Sequence, residues 1–324
     1  MAGRFVVYGP GAVGGVIAGG LAGAGHDVAL IARGDHLLAL QADGLTFHHH
    51  GGTDVHRLRA VADPGDLALT ADDVVILAMK TQHTEAAIDV LARSAPPELA
   101  VVCAQNGVTN ERLALRRFAN VHGVAVMLPG THLKPGVVVG LGRPWFGVLD
   151  IGRYPAGVDA TTERVAAALT DGNFRSVADP AVMRHKYAKL RLNTGNAIDA
   201  AAGLAARRSE VGRRAAREAL EVFSAAGIDV ATRDEVTARR DGFETADVPG
   251  HERAGSSSWQ SLARGGGSIE ADFLNGEIVL LGRLHGVATP VNEALQRLAN
   301  RLAADGVAPG SMSLDEVEAL VLGR

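Results

Sequence analysis

The sequence holds a single cysteine, Cys103, in 324 residues. That count excludes an intrachain disulfide and fits a reducing compartment. Flanked by apolar residues, the thiol reads as core filling. Aromatic side chains make up only 4% of a chain that is 47% hydrophobic, so the core must be built mainly from Ala, Val and Leu. No stretch approaches the roughly 18 consecutive apolar residues of a membrane span. The first residues, MAGRFVVYGPG, run straight into a strand pattern, without a charged segment followed by a cleavable apolar one. A soluble, cytoplasmic protein is expected. The formal charge of −4 gives no electrostatic case for binding nucleic acid or an anionic membrane. Lysine is also scarce: Lys80, Lys134, Lys186 and Lys189 stand against 28 arginines. Lysine can exchange a proton near neutrality where arginine cannot, so these four form a short roster of candidates for chemistry.

Glycine, by contrast, is abundant, with 40 residues. The apolar run Arg4–Tyr8 leads at once into Gly9-Pro10-Gly11-Ala12-Val13-Gly14, then into a helical segment ending near Gly25 and a second strand at Val28–Ala32. Strand, GxGxxG, helix and strand in phase are the pattern of a dinucleotide-binding βαβ unit. Gly9 permits the turn, Gly11 lets the backbone approach a pyrophosphate, and Gly14 lets helix and strand pack closely. The glycines within the helix lower its propensity, which suggests that packing distance matters there. At the tip of the second strand, where an NAD site would place a carboxylate, stands Arg33, which suits a 2′-phosphate. Asp35 is expected to cap the helix that begins at His36.

His48, His49, His50 and His56 fall in a stretch that reads as a solvated hairpin, because adjacent strand residues point to opposite faces and cannot converge on a metal. Asp72–Met79 is a buried strand delivering Lys80 to the carboxyl edge of a parallel sheet. Ala100–Ala104 brings Asn106 to the same edge, although Asn106-Gly107 is also an ordinary turn signal. Val121–Met127 supplies a further strand, and Val137–Val139 with Trp145–Leu149 read as an antiparallel addition.

Residues 180–205 read as one long apolar helix. Lys189, Asn193 and Asn196 occupy i, i+4 and i+7, one stripe of such a helix, with Lys186 a turn earlier. Asp179-Pro180 is a helix start. Helical patterns follow at 210–226, 233–239, 258–264, 271–284, 291–304 and 314–321. Ser257 has capping-box spacing, but a hydroxyl at a helix start can equally bind a carboxylate. Glu270 and Asp272 open the next helix, where negative charge is favourable in any case. Asn275 faces a cleft or caps a neighbour. Without chemistry, the stripe would read as buried asparagines tying helices together.

Taken in order, GPGAVGG from Gly9, AR at Ala32–Arg33, MKTQHT from Met79, QNGV from Gln105, KLRLN from Lys189, SSSWQSL from Ser256 and IEADFLNGEI from Ile269 resemble the ketopantoate reductase (2-dehydropantoate 2-reductase) family over nearly the whole chain. The resemblance implies an α/β protein: a Rossmann-type dinucleotide-binding domain at 1–178, then an all-helical, 6-phosphogluconate dehydrogenase-like domain at 179–324. It implies NADPH as cofactor and reduction of a 2-keto acid to a 2-hydroxy acid. By residue, it implies Lys189 as catalytic lysine and Glu270 as its hydrogen-bonding glutamate, the latter also near the cofactor. Asn106 and Lys80 would line nicotinamide and substrate, Asn193 and Ser257 would bind substrate, and Arg33 would meet a cofactor phosphate. Two features depart from the family pattern. Its second asparagine falls where this chain has Ala197, with Asn196 one residue earlier and about 100° around a helix. The loop Arg264–Gly267 is also one residue longer.

The expected reaction is therefore reduction of 2-dehydropantoate to pantoate, a step toward coenzyme A. Lys189 would polarise the carbonyl and protonate it, with Lys80 as rival acid. An apolar helix lowers a lysine pKa and a nearby glutamate raises it. Two alternatives stay open: the same fold acting on another keto acid or an imine, and a non-catalytic NADPH sensor. Apolar surface on the last helices would permit a homodimer.

Overall fold

A computed structural model describes residues 3–251 and 255–323. Its strands are β1 (Phe5–Tyr8), β2 (Val28–Ile31), β3 (Leu45–His49), β4 (Gly52–His56), β5 (Arg59–Val61), β6 (Val74–Leu77), β7 (Ala100–Cys103), β8 (Val121–Met127), β9 (Gly130–Thr131), β10 (Val137–Gly140), β11 (Gly142–Arg143), β12 (Val148–Arg153) and β13 (Glu244–Thr245). The helices are α1 (Ala12–Gly23), α2 (Gly34–Asp43), α3 (Thr84–Ser94), α4 (Asn110–Leu115), α5 (Ala160–Asp171), α6 (Val182–Asn193), α7 (Asn196–Ala202), α8 (Glu210–Ala225), α9 (Arg233–Arg239), α10 (Ser257–Ala263), α11 (Asn275–His285), α12 (Pro290–Ala304) and α13 (Leu314–Leu322).

The chain forms two compact units: Met1–Lys186 with Arg233–Arg253, and Tyr187–Thr232 with Ala254–Arg324. The first includes residues 179–186 and the segment around α9 and β13, both of which fall in the helical half in a reading divided at 178/179. Buried charge explains why α9 packs here: Arg239 reaches Asp150 Oδ2 at 3.4 Å and Asp179 Oδ2 at 3.3 Å. Arg184 and Glu235 form a two-pronged pair, and β13 pairs antiparallel with β11.

The main sheet of the first unit runs β12-β8-β7-β6-β1-β2-β5. All neighbours are parallel except β12, which runs antiparallel to β8. Strand periodicity divides the core. Phe5, Val7, Val74, Ile76, Ala100 and Val102 enter the cluster on one face, while Val6, Val75, Leu77, Val101 and Cys103 enter that on the other. Cys103 is a buried free thiol, and burial pushes its pKa well up. A second sheet, β4-β3-β10-β9, lies over α1. Here the histidine hairpin is found, but Trp145–Leu149 is not part of it. The strand begins at Val148 and joins the main sheet beside β8, so it never pairs with β10.

The glycines of α1 are explained by what surrounds it. A Cβ on Gly19 would lie 2.5 Å from the Phe47 ring, and one on Gly20 2.5 Å from Gly172 O. The helix after β2 begins at Gly34, with Arg33 as its extended N-cap. Asp35 thus sits inside the first turn as a dipole partner and does not cap it. From this helix His36 ties two segments together. Its Nδ1 accepts from Gly136 N–H at 2.9 Å, leaving Nε2–H to donate to Pro10 O at 2.9 Å. The second unit is all helical, its core drawn from Ala197, Ile198, Val211, Ala215, Leu295 and Leu302 among others. No helix among the described residues is long and apolar enough to cross a membrane.

Burial lowers the pKa of His36, partly offset by its bond to Pro10 O. Its folded pKa therefore lies below the unfolded value, the unfolded chain binds more protons, and stability is lost as pH falls through about 6.5. His36→Gln, which cannot take up that proton, should show a shallower fall in unfolding midpoint between about pH 7.5 and 5.5 than wild type. Parallel midpoint-versus-pH curves by calorimetry would remove this role for His36.

Candidate functional site

The first unit gathers the candidate dinucleotide residues where the strand order reverses at β1, the usual ligand position in such sheets. Gly9 adopts φ +86°, and a Cβ there would lie 2.9 Å from Met79 N. A Cβ on Gly14 would lie 2.5 Å from Gly9 O and 2.8 Å from Ala78 Cβ, so α1 touches the sheet too closely for any side chain. Gly11 differs: its Cβ would meet only His132 Cδ2, at 3.8 Å. Protein packing does not require glycine at 11, whereas backbone approach by a phosphate does. Ala12 and Val13 open α1, whose first turn carries no acidic residue to compete with an anion. Arg33 is exposed at the end of β2. These residues fit a dinucleotide.

Lys80 and Asn106 follow β6 and β7, and the structure brings their loops together. Gln105 Nε2 donates to Met79 O at 2.9 Å and to Thr84 Oγ1 at 2.7 Å. Thr84 Oγ1 donates to Asn110 Oδ1, and Asn110 Nδ2 donates to Asn106 O at 3.1 Å and Thr81 Oγ1 at 3.3 Å. Asn106 Oδ1 is buried with no hydrogen-bond partner among the described residues, a condition that in native proteins calls for a ligand or water.

Lys186 takes no place on an open stripe. It is 3% exposed, and its Nζ lies 2.8 Å from Glu111 Oε1. The single helix over 180–205 is likewise two. α6 stops at Asn193 and α7 starts at Asn196, with Thr194 and Gly195 between them. The break has a cause in the helical unit: Asn275 Nδ2 donates to Thr194 O at 3.0 Å and to Asn292 Oδ1 at 3.0 Å. Asn292 Nδ2 donates to Glu218, whose carboxylate also accepts Val291 N and Asn292 N at the start of α12. Asn275 therefore caps a neighbouring turn. Lys189 and Asn193 keep their i, i+4 relation on α6; Asn196 opens a separate helix.

Asn193 and Asn196 are buried, and Asn193 Nδ2 meets no partner among the described residues. Ser256, not Ser257, is the N-cap of α10, accepting from Trp259 N with its hydroxyl. Ser257 is thereby released from the capping role. Glu270 is 4% exposed and opens a single 3₁₀ turn, Glu270–Phe273, ahead of α11, so 271–284 is not one helix. The Arg264 guanidinium lies within electrostatic reach of Glu270; burial lowers its pKa and the carboxylate raises it. Asp199 was missed by sequence reasoning. It is fully buried and accepts Ser256 N–H at 2.6 Å, and a lone acid in the apolar run NAIDAAAGLA was the available signal. Glu111, Glu218 and Asn292 carried no comparable signal, since their partners lie far along the chain. Among the described residues no group of His, Cys, Asp and Glu is arranged to hold a metal ion.

Residues 5–154 match the family described as "Ketopantoate reductase PanE/ApbA", and residues 182–303 match "Ketopantoate reductase PanE/ApbA C terminal". A 2-dehydropantoate 2-reductase from Halobacterium salinarum is 31% identical, over 94% of this chain and 100% of the relative. The solved structure of a PanE/ApbA family ketopantoate reductase from Ralstonia eutropha aligns with a TM-score of 0.77 at 29% identity, covering 93% of this chain and 99% of that one. The fold is shared more widely. A D-mandelate dehydrogenase solved with NADH and anilino(oxo)acetate aligns with a TM-score of 0.77 at 19% identity, over 94% of this chain and 99% of that one. With both halves matched in order, the chain belongs to the ketopantoate reductase family of oxidoreductases.

Proposed function

We propose that the protein reduces 2-dehydropantoate to pantoate with NADPH, in the cytoplasm, using Lys189 as general acid. The observation that carries this reading is the Lys189–Asn193 pair, one turn apart on α6, in a chain of this family, with Asn193 Nδ2 buried and still lacking an acceptor. A nicotinamide dinucleotide, when bound, supplies the hydride. The protein's tasks are to place the keto acid, to hold positive charge beside the developing oxyanion and to deliver a proton to it. Lys189 performs the last two. Asn193, Asn196 and Ser257 supply neutral donors for substrate oxygens, and Glu270 orients the ammonium. Gly9, Gly11, Ala12, Val13 and Gly14 hold the pyrophosphate through backbone amides, Lys80 and Asn106 flank the nicotinamide and substrate, and Arg33 takes the 2′-phosphate.

One observation favours a second reading, in which the same chemistry serves another keto acid or an imine. Ala197 is buried with its methyl where the family has an amide, and Asn196 begins a new helix. NADPH oxidation with 2-dehydropantoate beside pyruvate, 2-oxoisovalerate and an amino acid plus keto acid separates the two. The expected result is highest kcat/KM on 2-dehydropantoate; turnover of another substrate alone selects the second reading, and no turnover at all ends both.

NADPH should exceed NADH in kcat/KM by about tenfold or more, the worth of one charge-assisted phosphate contact. Arg33→Ala should narrow that ratio; a wild-type preference for NADH would remove the assignment. Lys189→Ala should lose about 10²–10⁴-fold in kcat with NADPH binding retained. Stopped-flow turnover and NADPH fluorescence check both halves, and an active variant would eliminate Lys189 as the acid.

A further inference from the structure

We infer that Lys186 and Glu111 form a buried positioning pair that fixes the peptide plane leading into Asn106. The Lys186 ammonium donates to Gln105 O at 2.9 Å and to Val124 O at 3.2 Å, and is ion-paired with Glu111, whose Oε1 lies 2.8 Å away. Gln105 O belongs to the same planar amide as Asn106 N–H, so gripping the carbonyl sets the direction in which residue 106 leaves the strand. A planar guanidinium cannot set one nitrogen against two carbonyls and a carboxylate at once. That accounts for a lysine here in a chain with 28 arginines.

The surroundings are shaped to the pair. Glu111 is 0% exposed and lies on α4, next to Asn110, which holds Asn106 O from the other side. Gly123 of β8 leaves the room: a Cβ there would lie 3.1 Å from Glu111 Oε1 and 3.4 Å from Lys186 Cδ. Stability alone does not call for such an arrangement, because well-packed apolar side chains commonly replace a buried ion pair without loss. What an apolar pair cannot do is donate to Gln105 O. Lys186 thus acts through Asn106 and touches neither substrate nor cofactor.

The role assigned to Asn106 rests on the function proposed above. The test is the full-length Lys186→Met/Glu111→Leu protein, which removes both charges and leaves neither stranded. Its unfolding midpoint should stay within a few degrees of wild type, and its NADPH Kd by fluorescence within about threefold, since the glycine turn is untouched. The kcat should fall by about 10²-fold through displacement of Asn106. Hydrogen exchange should quicken in peptides spanning 105–110 and stay unchanged in β6. A folded double variant with wild-type kcat and unchanged exchange at 105–110 overturns the inference. Should that variant not fold, Lys186→Arg decides it, since the charge opposite Glu111 is kept: a loss of about tenfold or more in kcat supports the pair and full activity overturns it. If wild type reduces none of the acids, the functional proposal fails separately, and exchange at 105–110 alone decides the inference.

Discussion

The structure depends on how closely α1 lies against β1. With Gly9 O 2.5 Å from where a Cβ on Gly14 would be, only hydrogen fits at that contact. The contact tips the first turn of α1 so that its unpaired amides open at the carboxyl edge of the sheet. The loops after β6 and β7 come to the same edge because β6 lies beside β1 and β7 beside β6, all three parallel. His36 holds the turn from outside through Pro10 O. Nothing charged on the protein is needed to make this turn attract an anion; the helix end does it.

In the helical unit the organising groups are neutral amides and buried carboxylates. Glu218, Asn292, Asn275 and Thr194 form a chain of hydrogen bonds that ends on the carbonyl just after Asn193. Such a chain is rigid only when every member is satisfied, so residues at the start of α12 bear on where α6 ends. Asp199 likewise holds the start of α10 through Ser256 N–H.

What the sequence makes legible follows from how local each signal is. The β1–α1 turn, the strand at Val121–Met127 and the helix at Arg233–Arg239 are written in adjacent residues, and the structure places them there. Lys80 and Asn106 at the sheet edge follow from counting parallel strands. The break at Thr194–Gly195 was not legible, because apolar periodicity continues through it and its cause, Asn275, lies far along the chain. Lys186 shows the same limit: helical spacing groups it with Lys189, while its partners on three separate segments bury it elsewhere. Ser256 took the cap from Ser257 within a run of three serines, a choice that composition alone cannot make.

The course of the chain between its two units has one more consequence. It passes from one to the other after Lys186 and after Thr232, and returns before α10. A nick after Lys186 or after Thr232 gives two separate fragments, yet the first unit still draws residues from both. Expressing the first 186 residues alone would deprive β11 of its partner strand and leave the carboxylates of Asp150 and Asp179 without the guanidinium of Arg239. The dinucleotide-binding fold is therefore not a detachable N-terminal module, and its completion waits on residues synthesised well after α6.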